Sequence, residues 1–280
     1  MKKNIFVLTS LMLTLGCGCD SFLDETNYSD VTSEGGYYDT EAGLNAVVNA
    51  CYTPLRFWAG KEDAIGLSET GTDIIAAGSG CVDNNMAAYT QSLDGTNSAC
   101  TFYFDRFYAA INWCNTAIFH AQTVPNPSND EILATTLNKR EAEARVLRTF
   151  YYWILTETFG DTYYTDQPST SIVMNPVKTS TDNIYQYMFD DLDWAIKSKL
   201  STLQNDGGRV TIWTAKALKA RLLLTRASEK NDVDMYGQAY DLAKDVIENG
   251  PFELAEDFAS IWDMKNSDGN SNKEVIWYVD

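Results

Sequence analysis

The sequence predicts a mainly all-α chain, an array of helix-turn-helix units joined by long irregular loops. Three observations predict it. Apolar residues return at three- and four-residue steps in six separate stretches, the period of a helix with one buried face. Alanines alternate with aromatics on several of these faces, so neighbouring helices can approach closely, as in repeat arrays. Only the last stretch, Val275–Val279, is continuously β-prone, and it reads as a strand.

Residues 1–18 read as an export signal. Lys2 and Lys3 precede Ile5–Leu15, an apolar run too short to cross a bilayer as a helix, and small residues then lead into Cys17 and Cys19. Gly16-Cys17-Gly18-Cys19 resembles the lipobox of bacterial lipoproteins, in which a cysteine thiol is acylated and the acyl chains supply membrane affinity. An ordinary cleaved signal peptide, with these cysteines buried or bridged, is the alternative. Residues 19–38, polar and aromatic without a period, form a tether, and the helical domain spans 39–280.

The first helix covers Thr40–Leu55, with Leu44, Val47, Val48, Cys51 and Leu55 on one face; Pro54 ends or kinks it. Gly60–Thr101 is rich in Gly, Ser, Asn, Asp and Thr and lacks helical periodicity. Loops of that length are usually functional or disordered. Phe102–Thr123 is the second helix, with Phe107, Ile111, Cys114 and Ile118 facing inward; His120 near its end reads as exposed or as a partner of the helix dipole. Glu141–Asp161 is the central helix. Ala144, Leu147, Tyr151, Ile154 and Thr158 form its stripe, Phe150 and Leu155 widen it, and Gly160 stops it. Glu141 precedes Arg145 by four residues, the favourable order for an exposed pair.

Asp182–Leu200 follows, with Ile184, Met188, Leu192, Ala195 and Ile196 together and Asp190, Asp191 and Asp193 read as a solvated acidic face. Thr211–Ser228 carries two alanine-containing rows, and Asp234–Asn249 ends at Gly250-Pro251. Trp153, Trp194 and Trp213 read as helix core. Cys51 and Cys114 read as small core residues. Cys81 and Cys100 lie in loop-like sequence, and a bridge between them would contribute about 3 kcal/mol.

Composition excludes several functions. A formal net charge of −18 argues against nucleic acid, whose phosphates need clustered Lys and Arg, and against electrostatic docking on anionic lipid. With one His, neither a Ser-His-Asp site nor a mixed zinc set is easily built. The sequence contains no phosphate-binding loop, dinucleotide fingerprint or nucleophile elbow. No catalytic residue, metal ligand or cofactor is assigned. Asn266–Asn272 has oxygen ligands without calcium-loop spacing and reads as a turn.

The central stretch EAEARVLRTFYYWILTETFGD resembles the signature helix of the SusD/RagB family of Bacteroidetes surface lipoproteins. DTEAGLNAVVNACYTPL resembles its first helix, and YAAINWCNTAI resembles a segment with the Asn pair found here as Asn112 and Asn115. VTIWTAKALKARLLL, the segment from Tyr236 to Leu254 and the terminal Asn272–Ile276 resemble later repeat segments. Cys19 opens Cys-Asp-Ser-Phe-Leu-Asp, which resembles the family's mature start, so Cys19 is the expected acylated residue, with Cys17 as the alternative. The resemblance covers nearly all of this chain but about the first half of the family, so a longer protein is expected.

The resemblance implies a tetratricopeptide-like fold and a nutrient-binding lipoprotein at the outer-membrane surface. It implies delivery of a glycan, or a peptide, to a SusC-like TonB-dependent β-barrel partner. Binding sugar needs aromatic platforms for apolar ring faces and Asn or Asp for hydroxyls. The long loop helps build the ligand face in that family, and it offers Asp73, Asn84, Asn85 and Tyr89, with Trp58 nearby. The alternatives are a padded surface loop, a surface-tethered glycan hydrolase acting through two carboxylates, and a helical-repeat scaffold that binds only proteins.

Overall fold

The computed structural model describes residues 36–58, 62–76, 78, 84–126, 128–203, 207–266 and 272–279. The export signal, nearly all of the tether, both candidate acylation sites, Cys81 with its expected bridge to Cys100, and most of the Asn266–Asn272 turn lie outside the described residues. Tyr37–Asp280 is one compact unit.

Helix α1 (Glu41–Tyr52) opens on Thr40, whose hydroxyl accepts from the Gly43 amide, and buries Leu44, Val47, Val48 and Cys51. Gly43 is required by packing: a Cβ there would lie 1.8 Å from the Tyr37 carbonyl oxygen. Pro54 breaks the helix, and the chain resumes as the single turn α2 (Leu55–Trp58). The stretch expected to lack elements contains two short helices, α3 (Glu62–Ser68) and α4 (Asn84–Ala88). They are too short to leave a readable period, which is why the sequence reads as loop.

Helix α5 (Ser98–Thr123) is capped by Asn97, and α6 (Glu131–Phe159) by Asp130, whose carboxylate accepts from the amides of Ile132 and Leu133. The central helix thus starts well before Glu141. Its first turns bury only Leu137, so the apolar stripe that betrays it begins late. Gly160, at φ +70°, terminates it. A short antiparallel hairpin follows, β1 (Thr162–Tyr163) with β2 (Lys178–Thr179), pairing Thr162 with Thr179 and Tyr163 with Lys178. Then come α7 (Thr181–Ile196), α8 (Ile212–Lys230) with a Thr211/Thr214 capping box, and α9 (Val233–Asn249) capped by Asp232. Two 3-10 turns, Phe258–Trp262 and Met264–Asn266, follow.

Successive long helices pack on one another: α5 on α6, α6 on α7, α7 on α8 and α8 on α9, while α1 lies across α5 and α6. One core cluster runs through the array, with Tyr103, Phe107, Tyr151, Tyr152 and Tyr185 as its largest buried rings. Cys51 and Cys114 are within it, and Trp213 is buried while Trp153 and Trp194 are partly so. Thr158, at the far end of the central stripe, is exposed.

Four expectations are corrected. Asp191 is buried and not part of a solvated face; it accepts from Arg145 and Arg148. Asp190 is exposed, and Asp193 pairs with Lys219. The Glu141–Arg145 pair forms, but inside: Glu141 is buried and also accepts from Gln122. His120 is not exposed. It is 4 % accessible, and its Nδ1 lies 2.7 Å from the Asp39 carboxylate. Val275–Val279 forms no strand, because the segment lies against α6 and α8 and not beside a sheet edge. Trp277 meets Phe150 edge to face at 5.7 Å and donates its indole N–H to Gly208 O.

Candidate functional site

The loop after Gly160 is held by a buried polar cluster on α5, α6 and α7. Arg148, 3 % accessible, donates from Nε and a terminal nitrogen to the two Asp191 oxygens, both at 2.8 Å, and to Asn115 Oδ1 at 2.8 Å. Burial pulls the guanidinium pKa down, but the Asp191 carboxylate more than offsets this and holds Arg148 above its ordinary value. With its oxygen so engaged, Asn115 turns its amide nitrogen to the carbonyls of Thr165 and Gln167, at 3.0 and 3.1 Å. Tyr152 both donates to Thr165 O and accepts from Thr165 N. Asn112 Oδ1 accepts from the Ser169 amide at 2.7 Å, and Tyr108 donates to Tyr163 O at 2.6 Å. The Arg, the Asn pair and the tyrosines of the motif stretches therefore fix residues 162–169. At the exit of α6, Asp161 accepts from the amide and hydroxyl of Thr181, which hold its carboxyl below the ordinary carboxylate value.

The fixed hairpin and the first turns of α5 enclose a cavity of about 400 Å³. Phe104, Phe159 and Tyr163 supply its aromatic walls; Asp105, Asp161 and Lys178 stand as its charged groups. Phe104 meets Phe159 edge to face at 5.5 Å and lies against Tyr108 at 4.7 Å. Its ring stays partly open to solvent. Apolar ring faces beside carboxylates and an ammonium suit a polyhydroxylated ring, which presents C–H faces to aromatics and hydroxyls that donate to carboxylates and accept from the ammonium.

The residues named from sequence fall in two places. Tyr89 is exposed, adopts φ 48°, and reaches Gly71 O with its hydroxyl at 3.4 Å. Gly71, at φ +92°, permits this approach: a Cβ there would sit 3.0 Å from both the Tyr89 hydroxyl and the Met86 carbonyl oxygen. Tyr89 and the turn that carries exposed Asp73 thus form one corner, and Asn84 and Asn85 open the short helix α4 that packs on it. Trp58 is elsewhere. It is partly buried and edge-on to Tyr103 and Phe107, at 6.5 and 6.2 Å. Sequence reasoning missed Phe104, Phe159, Tyr163 and Asp161. Two of them sit inside the signature stretch, Phe159 and Asp161 flanking its glycine. Phe104 lies one helical turn before Tyr108, a spacing that reads as core until the hairpin is in place.

A family model described as "Starch-binding associating with outer membrane" matches residues 72–276. A SusD-like protein of Bacteroides ovatus is 26 % identical over 99 % of this chain and 49 % of its own length. The starch-binding protein SusD of Bacteroides thetaiotaomicron is 28 % identical over 51 % of this chain and 25 % of its own. A solved surface glycan-binding protein from Bacteroides uniformis superposes with a TM-score of 0.69 at 23 % identity, over 85 % of this chain and 52 % of that one. The chain spans about half the length of the Bacteroides ovatus relative. The helical array matches these folds, the family model covers most of the helical domain, and the chain belongs to the SusD-like family, described as starch-binding and associated with the outer membrane.

Proposed function

We propose that this chain captures a glycan at the outer-membrane surface by binding alone, without catalysis, and passes it to a SusC-like TonB-dependent barrel. Residues 1–18 direct export, Cys19 (alternatively Cys17) carries the lipid, residues 19–38 are the tether, and 39–280 bind. The aromatic cavity between α5 and the hairpin carries the reading, because its walls are held by buried motif residues and not by the ligand. The names of the starch-binding and glycan-binding relatives support the ligand class. Asp73, Asn84, Asn85 and Tyr89 form a second contact edge, and Trp58, packed on Tyr103 and Phe107 away from that edge, is a separate weaker candidate.

Titration calorimetry of the purified acylated protein against neutral oligosaccharides tests this. Saturable binding is expected, with oligosaccharide recovered unchanged. Phe104→Ala removes a platform worth about 0.5–1.5 kcal/mol, or roughly a two- to twelvefold loss of affinity. Tyr89→Ala should weaken binding in the same direction. Heat-silent titration with every oligosaccharide class would sink the glycan reading, and shortened products would sink binding without catalysis.

A further inference from the structure

A second cavity, of about 350 Å³, lies where the end of α1, the turn α2 and the loop before α8 meet. Its charge is the reverse of the chain's. The sequence carries 39 acidic against 21 basic residues, yet Arg56 and Arg209 both line this cavity and, among the described residues, no carboxylate does. Arg209 is held in place. Its guanidinium donates to Glu143 Oε2 at 2.7 Å and to the Asn49 side-chain oxygen, and it lies over the Tyr52 ring at 5.7 Å. Glu143 is fully buried and also accepts from Arg140 and from the Tyr52 hydroxyl. One carboxylate thus faces two guanidiniums, and the excess charge is positive. Arg56, exposed on α2, brings a further guanidinium to the same cavity. Tyr278 adds a ring to the wall; it lies against Gly208, where a Cβ would stand 3.6 Å from it, and Trp277 bonds the Gly208 carbonyl.

We propose that this cavity binds an acidic sugar, a hexuronate whose carboxylate is received by Arg56 and Arg209 and whose C–H face rests on Tyr278. The inference rests on the glycan-binding function proposed above and names a ligand class for it. A guanidinium presents a planar fork of donors that matches a carboxylate, and charge-assisted hydrogen bonds are about twice as strong as neutral ones. A neutral hexose offers the same groups only hydroxyl dipoles. Arg209 also gives up little rotamer freedom on binding, because Glu143 and Asn49 already fix it. The hairpin cavity has the opposite bias: Asp105 and Asp161 stand in its wall beside Lys178, and two carboxylates there repel an acidic sugar. Charge therefore sorts acidic from neutral sugars between the two cavities.

Titration calorimetry of the purified protein compares trigalacturonate with its carboxyl-reduced form, in which each carboxylate has become a primary alcohol. Saturable binding of trigalacturonate is expected, roughly tenfold or more tighter than that of the reduced form. Arg56→Gln should cost trigalacturonate roughly fivefold in affinity. Its thermal midpoint should match the parent's, because Arg56 is exposed. Equal affinities for the two trisaccharides, or an Arg56→Gln variant that binds trigalacturonate as the parent does, would overturn the proposal. Tighter binding of a sulfated neutral trisaccharide than of trigalacturonate would overturn the carboxylate assignment. The two readings fail separately. Heat-silent titration with every oligosaccharide class removes the glycan function, whereas neutral binding without an acidic preference removes only this inference.

Discussion

At the scale of single residues, the buried ion pair of Arg148 with Asp191 is the interaction on which the loop wall depends. A buried charge pair is costly to break from one side, because the survivor is left unsolvated and unpaired. Asp191→Asn should therefore destabilise the protein by about 3–5 kcal/mol in urea denaturation. Arg148→Met with Asp191→Leu should recover most of that loss. A neutral Asp191→Asn would show that solvent reaches the pair. The position of Asp191 was legible in part: it falls three residues after Met188 and four before Ala195, on the stripe that α7 buries. What was not legible was its partner. A carboxylate on an apolar stripe needs a cation from another element, and only the fold brings Arg148 to it. His120 was misread for the same reason, since Asp39 approaches it from a segment 81 residues away.

At the scale of elements, the long helices were visible because each presents a repeating apolar face, and their capping residues fix the ends. Thr211 with Thr214, Asp232 and Gly160 all behave as their chemistry requires. Elements shorter than two turns, such as α3 and α4, leave too few residues to show a period. The terminal Val275–Val279 failed differently: β-propensity records a fit to a pleated, half-buried surface, and a groove between helices satisfies the same apolar residues. The junction of α6 and α7 yields a prediction in pH. Asp161 has its carboxyl pKa depressed by the Thr181 hydrogen bonds, so its contribution is present above the ordinary carboxylate value, about 4, and is lost as pH falls through the folded value. Asp161→Asn should lower the thermal midpoint at pH 6 to 7, and the gap to the parent protein should close toward pH 2. A gap that stays constant across that range would assign the effect to shape alone.

For the whole molecule, fold class and family were readable from the periodic stripes and the signature stretch, whereas the cavity was not. Its walls come from α5, the end of α6 and the hairpin, which meet only after the array has packed. Burial also sets an alkaline limit. Tyr52, Tyr151, Tyr152 and Tyr185 have phenol pKa values raised chiefly by burial. Their stabilising contribution is complete below the ordinary value of about 10 and is lost as pH rises above it. Ultraviolet titration should show part of the 16 tyrosines ionising only when helicity collapses. Reversible ionisation of all of them near pH 10, with helicity intact, would contradict the buried core. Helix α6 has one further consequence, for descent rather than stability. Solenoids gain and lose whole units because each unit touches only its neighbours. Helix α6 touches α1, α5, α7, α8 and the hairpin at once, so no unit containing it can be excised without leaving several faces bare. Among the described helices, α9 rests on α8 and α6 on several neighbours, so change by whole units meets its strongest barrier at α6.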